Sequence, residues 1–304
     1  MNFVDNIRAT LLYFDLFDHP LLREELYTFF PERMDATEFN RMLFRMDSFG
    51  TRQHIPWTDG LFYIRDNSKV VAIRKHREKK AKRMLQATRI IGRLLRYFPF
   101  VRAAFLSGSL SKGVNGGDAD IDLFIIAAEQ RIWICRSFLT VFKRIFLLNN
   151  KKFLCPNYFV SEHHLEIPEK NIFTATELIT LRPLFNGKKL QDLLEANRWA
   201  LEFYPNFKID RIESKISWSP LQRLLELPMS DGYTADWDAR LMHYFEGLWE
   251  KRYPEYTPSE REFLFRTTPY SSKVHPNDFQ TRILDAYERR LKEENLERLT
   301  RIDG

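Results

Sequence analysis

Two short motifs decide the fold of this chain: FLSGSLSKG at residues 105–113 and DIDLF at residues 120–124. Apolar runs at 101–106 and 121–127 adjoin them, and short apolar runs next to turn residues are typical of buried strands. Glycine at position 108 permits a sharp turn after the first run. Ten residues separate Ser109 from Asp120, which is enough chain to return to an adjacent strand. We therefore predict two neighbouring strands joined through a glycine–serine bend.

The first motif has the composition of a phosphate-binding turn. Gly108 lets the backbone approach a phosphate closely. Amides at the start of a helical turn, together with the hydroxyl of Ser109, can hold a triphosphate. Lys112 follows three residues after Ser109 and can offset phosphate charge. Gly108, Ser109 and Lys112 are therefore the predicted nucleotide-binding residues.

The second motif places two acids at alternate positions of a predicted strand. Asp120 and Asp122 should project from the same face, because side chains alternate along a strand. Carboxylate oxygens are ligands suited to Mg²⁺. Two such ions about 3.5–4 Å apart can activate a hydroxyl and stabilise a departing pyrophosphate. The opposing interpretation is an acidic pair on an edge strand, which is disfavoured because such carboxylates repel each other without a cation. Asp118 is interpreted as a solvated loop acid.

With this spacing, the segment resembles the signature of the DNA polymerase β-like nucleotidyltransferase superfamily. Its small-nucleotidyltransferase variant reads Gly-Ser-x-Ala-Arg-Gly and then Ser-Asp-apolar-Asp, to which residues 108–113 and 119–122 are similar. The resemblance implies an uneven mixed sheet with flanking helices. It also implies catalytic metal ligation by Asp120 and Asp122, with Mg²⁺ or Mn²⁺ as the cofactor. Gly108 and Ser109 would hold the triphosphate of an NTP substrate.

The family pattern adds a third carboxylate from a later strand, often as the general base, and here the sequence departs from it. The corresponding strand, 153–161, has Asn157 at the expected position, and an amide cannot take up a proton at neutral pH. Asn157 is either a residue of the active-site cleft or a strand asparagine with a local structural role. Glu166, with apolar neighbours on both sides, is the predicted catalytic substitute, and Glu162 is the second choice.

Four regions are expected along the chain. Residues 1–66 form a winged-helix-like domain, 67–98 a basic linker helix, 99–190 the nucleotidyltransferase core, and 191–304 a mostly helical C-terminal region. The expected helices are 10–17, 22–30, 37–49 with Thr37 as N-cap and Gly50 as terminator, 70–97, 129–148, 174–181 and 277–300, and the expected strands are 54–57, 61–64, 101–106, 121–127, 153–161 and 165–167. The predicted fold class is therefore α+β, with a mixed sheet between the two terminal regions.

Positive charge is concentrated in one segment. Residues 69–96 hold eleven Lys or Arg and one acid, whereas the whole chain has a net charge of only +6. Two interpretations of this helix are open: a face that binds nucleic acid or phosphate, or a solvated helix packed by its apolar side. Residues 1–52 hold six Arg and nine acids, so duplex DNA is not an expected partner of the N-terminal domain. A packing or substrate-presenting role is favoured for that domain.

Cysteine content and hydropathy bear on location. The two cysteines, Cys135 and Cys155, form no CxxC pair, and no secretory signal opens the sequence. The most apolar stretch, 132–148, contains three basic residues, which favours a core helix over a membrane span. We expect a reduced, cytoplasmic location and no membrane partner.

These residues favour a metal-dependent nucleotidyltransferase, which moves a nucleoside monophosphate from an NTP to a hydroxyl and releases pyrophosphate. The acceptor is left open between RNA, a small molecule and a protein side chain, and the preferred base is also open. The alternative is a non-catalytic nucleotide-binding regulator or sensor of the same fold, which Asn157 motivates. A transcription factor built on the N-terminal domain is a third hypothesis, and the acidic balance of that domain counts against it.

Overall fold

The chain is of the mixed α+β class, and the computed structural model describes residues 2–48, 55–64, 68–116, 120–146, 154–209, 219–229 and 233–302. Within these residues the helices are α1 (Phe3–Asp15), α2 (Arg23–Thr28), α3 (Ala36–Ser48), α4 (Lys69–Leu95), α5 (Gly108–Ser111), α6 (Ile132–Phe146), α7 (Ile172–Ile179), α8 (Lys188–Ala196), α9 (Ala200–Phe203), α10 (Pro220–Glu226), α11 (Tyr233–Arg252), α12 (Pro258–Leu264) and α13 (Phe279–Glu293). The strands are β1 (Leu21–Leu22), β2 (Trp57–Thr58), β3 (Leu61–Phe62), β4 (Val101–Leu106), β5 (Asp122–Ala127), β6 (Cys155–Ser161), β7 (Arg182–Phe185) and β8 (Ser271–Lys273).

The N-terminal region contains helices α1 to α3 and a small antiparallel sheet in the order β1-β3-β2. Asn2 caps α1, because its side-chain oxygen accepts a hydrogen bond from the amide of Asp5 at 2.9 Å. The β2–β3 hairpin turns at Asp59 and Gly60, which both have positive φ. The three helices and the hairpin expected from the sequence are therefore present, and β1 adds a third strand that was not expected.

Helix α4 is fixed on its buried side at both ends. Near its start, the buried Arg74 donates to Glu25 at 2.7 Å and to Glu78 at 2.8 Å, which ties the helix to α2. Near its end, a Cβ atom at Gly92 would lie 2.6 Å from the carbonyl oxygen of Leu184, so glycine allows the close approach of β7. The long basic helix predicted from the sequence is confirmed as an element, and it rigidly joins the N-terminal region to the central sheet.

The central sheet has five strands in the order β7-β4-β5-β6-β8. β4 pairs antiparallel with both β5 and β7, β5 pairs parallel with β6, and β6 pairs antiparallel with β8. Parallel neighbours need a crossover connection, and α6 lies in the connection between β5 and β6. The sheet is therefore mixed, and the beginning of β5 lies beside the end of β4.

Helix α6 is a core helix. Its first turn buries Ile132, Trp133 and Ile134. Asp238 of α11 caps this turn, because one carboxylate oxygen accepts from the amides of Trp133 at 2.9 Å and Ile134 at 2.8 Å. No helix in the part of the chain that the structure describes combines the length and the apolar character needed to cross a membrane.

The C-terminal residues complete both the sheet and the N-terminal core. β8 is the outer neighbour of β6, so the sheet extends beyond the 99–190 range predicted for the core. Helix α13 packs on α1: the hydroxyl of Tyr287 donates to the carbonyl oxygen of Ala9 at 2.9 Å. The Tyr287 ring lies 5.2 Å from that of Tyr13, edge to face. The first and last long helices are therefore in direct contact.

Several sequence-based assignments need correction. Residues 165–167 form no strand, although apolar residues flank Glu166, and β7 and β8 were not predicted. The capping oxygen at the start of α3 belongs to Asp35, which accepts from the amide of Thr37 at 2.8 Å, and not to Thr37 itself. Several residues used in the predictions lie outside the described residues, among them Gly50, His54, Asp118, Ala119 and Phe153.

Candidate active site

The bend after β4 is shaped by Gly108. This residue has a φ of +68°, a left-handed conformation that glycine adopts without steric cost. Ser107 donates its amide hydrogen to the carbonyl oxygen of Asp122 at 3.0 Å, so the two strands stay paired up to the bend. Helix α5 begins at Gly108. The strand, the bend and the helical turn predicted from the first motif are all present.

Asp122 lies directly against this bend. A Cβ atom at Gly108 would overlap Oδ2 of Asp122 and lie 3.3 Å from its Cγ. No residue with a larger side chain could occupy position 108 without moving the carboxylate. The two sequence motifs therefore meet in space at these two residues, as the metal–triphosphate hypothesis requires.

Asn157 holds the Asp122 carboxylate from the neighbouring strand β6. Its Nδ2 donates to Oδ1 of Asp122 at 2.6 Å, and its Oδ1 accepts from the thiol of Cys155 at 3.1 Å. Asn157 also lines the same cavity as Asp122. Of the two interpretations of this asparagine, the structure supports a residue of the cleft that orients a carboxylate.

Asp120 lies outside the strand that was predicted to carry it. β5 begins at Asp122, and Asp120 precedes it as a partly buried residue in an irregular segment. The alternation rule that would place both side chains on one strand face therefore does not apply here. Asp120 is nevertheless close enough to Asp122 that its charge raises the pKa of the Asp122 carboxyl.

A third carboxylate, which the sequence analysis missed, comes from Glu177 on α7. Its Oε2 accepts from the backbone amide of Gly108 at 3.1 Å, and its Oε1 accepts from Nζ of Lys112 at 2.7 Å. Lys112 also donates to the carbonyl oxygen of Gly108 at 3.1 Å. Glu177 thus accepts from two of the three donors that the sequence assigns to a triphosphate. The available sequence signal was that Glu177 is the single charged residue in the stretch 172–181.

The carboxylates of the site carry more negative charge than their neighbours neutralise. Burial, followed by the charges of Glu177 and Asp120, raises the pKa of Asp122 to about 7, against the hydrogen bond from Asn157 and the charge of Lys112. A cation bound at Asp122 would relieve both the burial of charge and the repulsion. These oxygen donors are therefore of the type that Mg²⁺ or Mn²⁺ binds.

Glu166 and Glu162 do not lie in the wall of this cavity. Glu166 has a side chain that is 62% exposed and pairs with Lys170 at 2.9 Å. Glu162 pairs with Arg102 at 3.5 Å and with Lys189 at 3.8 Å. The structure therefore does not bring Glu166 to the bend, where the contacting carboxylate is that of Glu177. The segment 165–167 is irregular chain, and it buries Ile167.

The site opens into a cavity of about 590 Å³. Its wall includes the bend, the start of β5 and residues of β6 and α7, together with residues from α1, α4, β8 and α13. Elements from both ends of the described chain therefore enclose the site, and the predicted core residues form only one side of it.

Each cation in the described cavity wall is paired with a carboxylate of the same wall. Lys112 pairs with Glu177, and two further pairs complete the set. They are Arg77 with Asp18 at 3.3 Å and Lys273 with Glu169 at 2.8 Å. The wall therefore offers no spare positive charge to an incoming anion.

Two histidines in the wall are held neutral. Burial, followed by the charge of Arg74, lowers the pKa of His19 well below its ordinary value. Burial and the charge of Lys273 lower the pKa of His275 to about 4. Neither histidine therefore adds positive charge to the cavity at neutral pH.

The exposed part of the basic helix lies apart from this wall. Lys79, Lys82, Arg89 and Arg93 are exposed, whereas Arg77 is the basic residue of α4 that lines the cavity. Both interpretations of the exposed basic surface stay predictions.

Within the described residues, no group of three or more His, Cys, Asp or Glu side chains has the arrangement of a complete metal site. Comparisons with protein families, with curated proteins and with solved structures found no match to this chain.

Proposed function

We propose that this chain is a metal-dependent nucleotidyltransferase, which transfers a nucleoside monophosphate from an NTP to a hydroxyl and releases pyrophosphate. The observation that carries the proposal is the contact between Asp122 and Gly108, because it joins a partly buried carboxylate to a bend of the phosphate-binding type. The mixed sheet supports it further, since β5 lies antiparallel to β4 and parallel to β6. An uneven mixed sheet is what the motif resemblance implies.

In this proposal Asp122 and Asp120 would hold the metal ion. When bound, Mg²⁺ or Mn²⁺ polarises the phosphoryl group and neutralises the charge that develops on pyrophosphate. Asn157 keeps the Asp122 carboxylate in position through its 2.6 Å hydrogen bond. The raised pKa of Asp122 fits this role, because a cation is the ligand that such a carboxylate lacks.

In this proposal the triphosphate accepts hydrogen bonds from the amide of Gly108, the hydroxyl of Ser109 and the ammonium of Lys112. Two of these donors contact Glu177, so a bound triphosphate replaces Glu177 as their acceptor. The released Glu177 carboxylate accepts the proton of the acceptor hydroxyl. The acceptor oxygen then forms a bond to the α-phosphorus while the bond from that phosphorus to the bridging oxygen breaks. Pyrophosphate leaves with the electron pair of the broken bond.

The test is a transfer assay with the full chain. Each of the four α-labelled NTPs is incubated with Mg²⁺ or Mn²⁺ and with total RNA, the protein itself or a panel of small hydroxyl compounds. Label transfer and pyrophosphate release are expected for the wild-type chain and should be lost in Asp122→Asn with Asp120→Asn. The control is Glu166→Gln, which alters an exposed glutamate outside the cavity. An unchanged rate in the double variant would remove the proposal.

The second candidate function is a nucleotide sensor that does not catalyse transfer. The observation that favours it is Asn157, which holds Asp122 at the position where the motif resemblance implies an acid. Calorimetry separates the two functions, because a sensor binds NTP with Mg²⁺ and releases no pyrophosphate with any acceptor.

A further inference from the structure

The cavity extends well beyond the carboxylates, and most of its lining surface is apolar. Aromatic side chains line it from several elements: Phe14 and Phe17 near the end of α1, Phe124 of β5, Phe173 of α7 and Phe279 of α13. Aliphatic side chains from the region of α7 add to them. A volume of about 590 Å³ lies within the range of roughly 300–1,000 Å³ that is usual for small-molecule sites.

The charged groups of the wall have an excess of carboxylates. The described wall contains three cations, Arg77, Lys112 and Lys273, and five carboxylates, Asp18, Asp122, Glu169, Glu177 and Asp278. Each cation forms its ion pair with another carboxylate of the wall, as described above, which leaves Asp122 and Asp278 without an ion pair of their own there, although the charge of Lys112 acts on Asp122 and that of Lys273 on Asp278. Asp278 accepts a hydrogen bond from the amide of Thr281 at 3.3 Å and caps α13.

These two features select among acceptors. A negatively charged acceptor would lose its hydration beside carboxylates and would find no unpaired cation in the wall, because Lys112 is paired with Glu177 or, in the proposed function, with the triphosphate. A polynucleotide meets the same difficulty, since strand binding relies on basic side chains along the phosphates. The exposed basic residues of α4 named above do not line the cavity. An apolar compound with an amine instead gains both the aromatic surface and the attraction of the unpaired carboxylates.

We propose that the cavity binds, as acceptor, a small amino alcohol with an apolar body. This inference rests on the proposed function for the fate of the hydroxyl, but the binding itself does not depend on it. The apolar body contacts the aromatic side chains, the ammonium group is attracted by Asp278, and the hydroxyl is the group presented for transfer.

The test compares three probes with the same phenyl body and one hydroxyl each: phenylalaninol, which is cationic, phenylpropanol, which is neutral, and phenyllactate, which is anionic. Binding to the full chain is measured by calorimetry without nucleotide. We expect phenylalaninol to bind at least about tenfold more tightly than phenyllactate, with phenylpropanol between them. Equal affinities for the amine and the acid, or no binding of any probe, would overturn the inference.

Two matched variants locate the attraction. Asp278→Asn removes a wall charge and keeps an N-cap side chain on α13, since Asn caps helices as well as Asp. This variant should weaken the binding of phenylalaninol several-fold and leave the affinity for phenylpropanol unchanged. Asp285→Asn, the same change at an exposed position of the same helix, should affect neither probe. Equal effects of the two variants on phenylalaninol would contradict the proposal.

Transfer assays separate this inference from the proposed function. If the probes bind in the expected order but no NTP releases pyrophosphate, the cavity inference is supported and the nucleotidyltransferase proposal is contradicted. If label is transferred to a single-stranded oligonucleotide and to none of the alcohol probes, the nucleotidyltransferase proposal is supported and the amino-alcohol acceptor is excluded.

Discussion

Gly108 and Asp122 lie so close that a Cβ atom on the first would overlap a carboxylate oxygen of the second. The glycine serves two purposes at once, because its φ of +68° makes the bend and its missing side chain leaves room for the acid. The turn and the proposed metal ligand are therefore in direct contact, so a change at either residue displaces the other.

Replacing Gly108 with alanine should destabilise the protein by about 1–3 kcal/mol through backbone strain, and by more through the displaced carboxylate. Nucleotide transfer should fall below detection. Denaturant unfolding and the transfer assay measure the two effects. Gly60→Ala is the control for strain alone, because Gly60 also has a positive φ and a Cβ atom added there would meet no other atom within 4 Å. Similar losses of stability in both variants would show that the Asp122 contact is unimportant.

Replacing Asp122 with asparagine should stabilise the ligand-free chain while it abolishes transfer. The folded-state pKa of about 7 lies above the ordinary value of 3.8, so the ionised group costs stability above pH 7. That cost disappears as the pH falls through 7 towards 4, where the folded form is protonated. We expect a gain on the order of 2–4 kcal/mol at pH 8 and little gain at pH 4.

The Asp122 measurement is chemical unfolding at both pH values. Asn157 can still donate to the new amide oxygen, so the hydrogen bond is retained. Asp285→Asn, which alters an exposed acid, should change stability at neither pH. A destabilised Asp122→Asn protein at pH 8 would mean that the carboxylate is not under repulsion.

Replacing Glu177 with glutamine should separate nucleotide binding from turnover. A neutral amide competes less well than a carboxylate for the Gly108 amide and Lys112, so the Kd for NTP should fall several-fold. Loss of the proton acceptor should lower kcat by about 10²–10⁴-fold. Calorimetry and steady-state kinetics give the two numbers. Glu166→Gln should alter neither, and an unchanged kcat in Glu177→Gln would exclude the proposed base.

His275 should make the protein sensitive to acid. Its folded-state pKa of about 4 lies below the ordinary 6.5, so between these values the unfolded chain binds the extra proton. Above pH 6.5 the neutral His275 side chain costs no stability, and the free energy of unfolding falls as the pH drops from 6.5 to 4. His275→Gln should therefore show a weaker fall in unfolding free energy across that window than the wild-type chain. His243→Gln, at a side chain that is 71% exposed, should keep the wild-type pH profile.

Sequence reasoning succeeded where local pattern decides the structure. The apolar run of β4, the glycine bend and the apolar run of β5 are contiguous features, and they place Gly108, Ser109 and Asp122 correctly. It failed where tertiary packing decides. Glu177 lies 55 positions after Asp122 on a helix, and only the packing of α7 brings it to the bend. The apolar neighbours of Glu166 indicated a strand, but one buried side chain, Ile167, explains them.

The missed strands have physical reasons too. β7 contains Pro183, which removes a hydrogen-bond donor, and it is tolerated because β7 is an edge strand of the sheet. β8 has the sequence Ser-Ser-Lys and no apolar residue, yet it buries Ser272 and Lys273. Its position is decided by pairing with β6, and that pairing has no local sequence signal.

The contact between α1 and α13 makes the proposed activity sensitive to substitutions far from the bend. Tyr13 and Gln280 face the same cavity although nearly the whole chain separates them in sequence, so the enclosure exists only while these two helices stay together. A substitution that loosens Tyr287 from Ala9 would open the enclosure to water and leave every polar group around the bend intact. Inherited or engineered loss of activity can therefore originate in residues that never meet the substrate.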